Sequence, residues 1–228
     1  MYSVLPFDET NKLQSMPFEK YFGEMGLTDQ QEEERIKLAR DIEAAMLYFF
    51  DAVVLYLNNG VGSLAALLSL LIAELTEAFD ENELSEKEKQ EDDDLPLLLL
   101  ALMMPDDFVD GYAVTLAREL YMSTMSHKDD PYFLSADRAR LIGEEEANTV
   151  YNHLDYVKAL AQGKKRKRWR TQRDAKVRTT HRPVDGQTIP IGDFFTVGAA
   201  KMLYPRDVVN GGNHPEEIVN CRCHVEYF

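Results

Sequence analysis

The chain has 228 residues, with 25 Lys and Arg against 40 Asp and Glu, a formal net charge of -15 at pH 7, and two cysteines. This length is enough to bury a core and leaves room for two units. The acidic balance repels nucleic acid at long range. Two cysteines separated by one residue exclude the disulfide framework of a small secreted fold, because so small a ring is strained.

The charge is divided unevenly. Residues 1–162 hold 12 Lys and Arg against 33 Asp and Glu, net -21, whereas residues 163–228 hold 13 against 7, net +6. Contact with an acidic partner is therefore expected from the C-terminal part. Residues 1–8 lack the positive charge and apolar run of a secretory signal, so an intracellular chain is expected. The longest apolar stretch, 61–73, is interrupted by Gly62, Ser63 and Ser69 and stops at Glu74, short of a membrane span. The run at 95–104 is shorter and contains Pro96.

An arm with Pro6 and Pro17 opens the chain. Thr28 or Asp29 then caps a helix whose first turns carry Glu32, Glu33 and Glu34, favourable at the positive end of the helix dipole. Ile36, Ala39, Ile42, Met46, Phe49, Phe50, Val53 and Leu57 recur at three- and four-residue steps, an apolar stripe, and Asn58-Asn59-Gly60 ends the helix. A second helix is expected over 61–79, apolar on nearly every face before Glu74 and so central in a helical bundle. Residues 81–94 read as an exposed acidic loop. A short helix near 96–103 and another over 106–125 follow, the latter with Phe108, Tyr112, Leu116 and Leu120 inward. Met103, Met104, Met122 and Met125 read as core fillers. Asp129-Asp130-Pro131 breaks the chain, Ser135 caps a long helix, and Gly163 ends it. His127 and His153 read as helix-end or surface residues.

From residue 164 the pattern changes. Gly and Pro recur, short β-favouring runs cover 187–191 and 218–225, and one more helix is expected near 170–179. The expected fold class is α+β, with a mainly α-helical N-terminal body over 1–134 and a second domain over 135–228. In that domain a long helix, 135–162, leads into a small basic α+β unit, 163–228. Limited proteolysis is expected to cut first within 81–94 or 164–168.

Three groups of side chains could carry chemistry. His181, His214, Cys221 and Cys223 are candidate metal ligands, because imidazole and thiolate are donors that zinc prefers. The reading adopted is no cofactor, with zinc as the one candidate. A Cys-x-Cys is closer than the gap usual in structural zinc sites, and successive strand residues face opposite sides, so both thiolates need a turn to converge. The other reading makes the cysteines small buried residues beside a terminal strand, with His181 bonded to backbone near Asp185-Gly186.

Arg178, His181, Asp185 and Asp207 could instead form a catalytic constellation with His181 as general acid or base. No evident nucleophile, paired acidic metal site or phosphate-cradling glycine loop accompanies them. The reading adopted is non-enzymatic, with no catalytic residue. In it Asp185-Gly186 makes a tight turn, Asp174 and Asp207 pair with arginines, and Trp169 anchors a core. Finally, Lys164, Lys165, Arg166, Lys167 and Arg168, with Arg170 beyond Trp169, form a dense basic run. It suits DNA phosphates, or else it is a solvated linker paired with Glu144-Glu145-Glu146.

The landmarks also fall in a telling order. Trp169-Arg-Thr-Gln-Arg-Asp174 is followed by Val177-Arg178-Thr-Thr-His181, Asp185-Gly186, Tyr204-Pro205-Arg-Asp207 and Asn220-Cys221-Arg222-Cys223. In this order and spacing they resemble the phage Mu F-like minor head protein family, or phage head-morphogenesis domain, most tightly over 138–224. The resemblance makes Trp169, Asp174, Arg178, His181, Asp185, Gly186, Pro205, Asp207, Asn220, Cys221 and Cys223 a structural motif of that family. It implies a minor head protein of a tailed phage or prophage that assists head assembly and genome packaging or delivery. Its implied partners are the portal protein, other head proteins and, as a candidate, double-stranded DNA, with no membrane. The implied place is the virion head interior near the portal, and the host cytoplasm during assembly. Phe194-Phe195 and Ala199-Ala200 fill a spacer that varies within the family. The rival reading is a toxin-like enzyme of a polymorphic effector system, of nuclease or ADP-ribosyltransferase type, using the basic C-terminal unit.

Overall fold

The computed structural model describes residues 17–87 and 107–228. Helices α1 (Phe18–Gly23), α2 (Asp29–Asn59), α3 (Leu64–Lys87), α4 (Asp107–Ser126) and α5 (Ala136–Ala161) come first. Strands β1 (Arg166–Arg170), β2 (Thr188–Pro190), β3 (Phe195–Val197) and β4 (Ala200–Met202), the short helix α6 (Pro215–Ile218) and strand β5 (His224–Tyr227) follow. The class is α+β. The N-terminal arm, the helix expected near 96–103, Met103, Met104 and the side chain of Phe108 lie outside the described residues. Among those residues no helix is long and apolar enough to cross a membrane.

Two compact units divide the chain. One gathers 17–35 with 147–228 and the other holds the described part of 36–146, so the divisions fall inside α2 and α5. Both long helices have explicit ends. Thr28 and Gln31 form a reciprocal capping box at the start of α2, with Gln31 N–H donating to Thr28 Oγ1 (3.3 Å) and Thr28 N–H to Gln31 Oε1 (3.2 Å). Ser135 Oγ accepts from the Arg138 N–H (3.2 Å) at the start of α5. The exit of α5 is a Schellman turn. Lys164 N–H donates to the Ala159 carbonyl (3.0 Å) and Gly163 N–H to Leu160 (2.9 Å), with Gly163 at φ +68°, where a Cβ would be strained.

In the helical unit the α2 stripe lies inward, with Leu38, Ala39, Ile42, Ala45, Met46, Phe49, Phe50 and Val53 buried, although Leu57 is exposed. α3 packs on α4 through Leu67, Leu71, Leu75, Ala78 and Phe79, opposite a helix that buries Tyr112, Ala113, Leu116, Ala117 and Leu120. The expectation of a central α3 is corrected, because only one of its faces is buried and Val61 and Leu64 stand exposed. The expected loop at 81–94 is also corrected over its first half. The Glu, Leu and Lys of 81–87 are good helix formers, and α3 continues through them.

Met122 is exposed rather than a core filler. Several buried polar groups of this unit are engaged. The Arg138 guanidinium donates to Thr124 Oγ1 (2.8 Å) and the Phe133 carbonyl (2.7 Å) and lies 4.7 Å from the Phe133 ring, on which His127 stacks at 4.3 Å. Glu144, Glu145 and Glu146 are buried, and Tyr112 donates its hydroxyl proton to Glu146.

The other unit is built on β1. It is the centre of an antiparallel sheet ordered β2-β1-β5, with Lys167 opposite Ile189 on one side and Tyr227 on the other, and Trp169 opposite Val225. β3 and β4 form a separate hairpin, pairing Phe195 with Met202. Trp169, Phe195, Val197, Ala200, Met202, Ile218 and Val225 make the core beneath, and the indole meets the Phe195 ring edge-to-face at 5.2 Å. The linker reading of 164–168 and its proteolytic site are therefore corrected from Arg166 onward, where the backbone is laddered on both sides. The helix expected at 170–179 is replaced by turns. Thr171 N–H is pinned to Asp185 Oδ1 (2.9 Å), Arg173 takes φ +55°, and Asp174 Oδ1 accepts from Lys176 N–H (2.9 Å). Of the run expected to be β-favouring at 218–225, only its end enters β5.

Candidate functional site

Two features of the C-terminal unit stand out, a buried thiol and imidazole cluster and the arginine-lined face of β1. The cluster begins with the turn after Ile218. Asn220, at φ +55°, reverses the chain, and Cys221 and Cys223 sit in the irregular segment before β5 rather than within a strand. That is the turn the Cys-x-Cys spacing needs for both sulfurs to face the same way. Asn148 Nδ2 donates to the Cys221 carbonyl (3.0 Å) and Gln172 Nε2 to the Arg222 carbonyl (2.6 Å), holding the segment.

His181 arrives from the loop after β1, with its N–H bonded to the Arg178 carbonyl (3.1 Å) and its ring edge-to-face with Trp169 at 5.9 Å. Its Nδ1 lies 3.5 Å from Cys223 Sγ and 3.7 Å from Cys221 Sγ, and all three residues are buried. On the other side of the ring, Nε2 lies 3.1 Å from Glu217 Oε2, which also accepts from Thr180 Oγ1 (2.7 Å). Gly198, at φ +58°, makes room for Glu217, since a Cβ there would fall 2.0 Å from Glu217 Oε1.

The proton positions follow from these contacts. The hydrogen bond from Cys223 holds the Cys221 thiol well below its usual range, against the cost of burial and with help from His181. Cys223 is pushed well up, first by donating to Cys221 and then by burial. Burial depresses His181, but its contact with Cys221 outweighs this and the net displacement is upward.

Other residues of the motif form separate supports. Asp185 accepts from Thr171 N–H and from Arg173 Nε (2.8 Å), and Asp174 pairs with Arg222. Among the described residues Asp207 pairs with no arginine; it is fully buried and accepts from Leu203 N–H (2.8 Å) and Asn210 N–H (3.0 Å), closing its own loop. Arg178 donates to the Val219 carbonyl, and Gly186 makes the expected turn, its N–H bonded to the Trp169 carbonyl (2.8 Å). Pro205 is buried before Arg206, whose Nε donates to Thr149 Oγ1 (2.7 Å). Arg178, His181, Asp185 and Asp207 thus serve different partners. His214 lies apart from the cysteines, with Nδ1 3.1 Å from Glu216 Oε1. Glu217, Gly198 and Arg206 escape sequence reasoning, because nothing in their local pattern distinguishes them from ordinary loop residues.

On β1 the side chains alternate. Lys167 and Trp169 point into the core, while Arg166, Arg168 and Arg170 share the outer face. Lys167 is fully buried, with Nζ donating to the Leu203 carbonyl (2.7 Å) and lying 5.1 Å from the Tyr156 ring centre; burial lowers its ammonium to about 8 against the opposing pull of Asp207. Outside, Glu226 bridges Arg170 (2.8 Å) and Arg168 (3.5 Å), and Lys164 and Lys165 lead into the strand.

His153 is not a surface histidine. Burial lowers it to about 4 from its ordinary 6.5, and its Nδ1 shares a hydrogen bond with the Tyr204 hydroxyl at 2.8 Å. A folded value below the unfolded one means that the unfolded chain binds the proton first. This contribution to stability is full above pH 6.5 and is lost as pH falls from 6.5 to 4. At roughly 1.4 kcal/mol per pH unit, it amounts to a few kcal/mol. Urea unfolding across that range should show a shallower acid slope in His153→Gln, and an unchanged slope would refute the assignment.

A family model described as Phage Mu protein F like protein matches residues 115–226. No curated protein and no solved structure shows significant similarity to the chain. The matched region takes in all the motif residues from Trp169 to Cys223, and its family is one of structural head proteins. Residues 115–226, just under half of the chain, therefore carry a phage Mu protein F like domain, the domain of a phage head-morphogenesis family.

Proposed function

We propose that the chain is a portal-associated minor head protein that contacts packaged double-stranded DNA through the outer face of β1. The observation that carries this reading is the alternation on that strand, which presents Arg166, Arg168 and Arg170 together on one side. Lys164 and Lys165 extend the charge, in a C-terminal part with net +6. Glu226 offsets part of the charge of Arg168 and Arg170, so Arg166 and the two lysines would carry most of the phosphate contact. The open groove lined by Arg173, Arg182, Asp174 and Asp185 is a poorer choice, because its carboxylates oppose its arginines. Docking on the portal ring would fall to the helical unit, where Tyr48, Leu55, Val61 and Leu64 are exposed apolar residues. Both the virion head interior near the portal and the host cytoplasm during assembly fit such a role.

The test is the salt dependence of duplex DNA binding. Glutamine at 164, 165, 166, 168 and 170 should weaken binding and reduce the slope of log affinity against log salt by about 0.9 for each phosphate contact removed. Lys167 is left in place because its ammonium faces the core. Incorporation into procapsids should persist. Unchanged DNA binding together with failed incorporation would make the β1 face an assembly contact and sink the DNA reading.

A further inference from the structure

We propose that His181, Cys221 and Cys223 bind one zinc ion, with Nδ1 and the two Sγ atoms as ligands and the fourth position open to a small cavity. Two ligands at tetrahedral angles, with Zn–N and Zn–S bonds of ordinary length, lie about 3.6 Å apart. The observed Nδ1 to Sγ separations are 3.5 and 3.7 Å. All three donor atoms lie within 4.8 Å of one another, and the residues come from two loops separated by forty positions of chain. Two thiolates and an imidazole are a soft donor set that favours zinc over magnesium or calcium.

The surroundings suit such a centre independently of the ligands. His181 turns Nδ1 to the sulfurs while Nε2 is positioned to donate to Glu217 Oε2 at 3.1 Å, the carboxylate–histidine–metal arrangement that fixes the ring and its tautomer. The Trp169 indole is fully buried and its N–H meets no acceptor at full hydrogen-bond geometry; its nearest acceptor is the Cys223 sulfur, whose thiolate form it favours and which, as a metal-bound thiolate, would accept it. A cavity of about 20 Å³, lined by the three ligands together with Arg178 and Asn220, has room for one water molecule at the fourth position. Binding releases the thiol protons to solvent and replaces them with one Zn²⁺, so no redox partner is required. The centre would tie the loop after β1 to the segment that enters β5 while leaving one position open to water.

The experiment uses the reduced full chain. Native mass spectrometry with added zinc should show one zinc per chain, and cobalt substitution should give the thiolate charge-transfer and tetrahedral absorption bands. Cys221→Ser, Cys223→Ser and His181→Ala should each lose the cobalt signature. Glu217→Gln should keep the stoichiometry but bind zinc roughly 10–100-fold more weakly, as expected of a positioning residue. Should the cysteine variants fail to fold, the stoichiometry of the wild-type chain still decides. A folded wild-type chain that takes up no zinc, its sulfurs and imidazole being only hydrogen-bonded, would overturn the proposal, and so would a Cys221–Cys223 disulfide in the native chain.

Discussion

Replacing Trp169 with alanine is expected to destabilise the C-terminal unit by about 3–5 kcal/mol, the range for deleting a fully buried aromatic side chain. The indole is entirely shielded from solvent at the centre of β1, with Phe195 against it at 5.2 Å and His181 at 5.9 Å. Alanine removes these contacts and leaves a cavity that a strand laddered on both sides cannot collapse to fill. Urea unfolding followed by far-ultraviolet circular dichroism would measure the loss, with Trp169→Phe as the milder comparison. A cost below about 1 kcal/mol for alanine would mean that Trp169 is not the anchor of this core.

The role of Trp169 as an anchor is legible in the sequence, whereas the strand that carries it is not. Arg-Lys-Arg-Trp-Arg has the composition of a solvated linker, and only its period of two betrays a strand with Lys167 and Trp169 inward. A lysine can serve as an inward residue because its long stem packs as hydrocarbon while its ammonium finds the Leu203 carbonyl. The long helices were readable because their stripes and caps are local, as at Thr28 and Gln31. The stretch 170–179 has helix-forming residues, yet the distant carboxylate of Asp185 claims Thr171 N–H and Arg173, and tertiary contacts prevail over propensity. The cluster was readable in residue type but not in membership. His214 and His181 look alike in sequence, and only the fold places one against the sulfurs and the other against Glu216.

Asp155→Ala is expected to cost about 3–5 kcal/mol, because it leaves a cation buried without its counterion. The Arg35 side chain is wholly shielded. Its guanidinium donates to Asp155 Oδ2 at 2.8 Å and lies 5.2 Å from the Tyr151 ring centre, while Gln31 Nε2 donates to the same carboxylate oxygen at 3.1 Å. Asp155 retains 14% exposure of its side chain, so the converse change, Arg35→Met, strands a carboxylate that water can still reach and should cost less. Arg35→Met with Asp155→Ala removes both charges and should recover part of the loss, since an apolar pair leaves no uncompensated buried charge. Unfolding free energies of the wild type and these three variants form the test. Additive single effects would show that the two residues are uncoupled, whereas a double variant more stable than Asp155→Ala alone would show that the buried charge carries the cost. The pair joins residues 120 positions apart, so its rupture should also loosen the segment 17–35 from the rest of its own unit, which bears the cluster and the basic strand. Hydrogen exchange in α1 and the first turns of α2 should then rise ahead of global unfolding, because the capping box of Thr28 and Gln31 is local and does not bind that segment to α5.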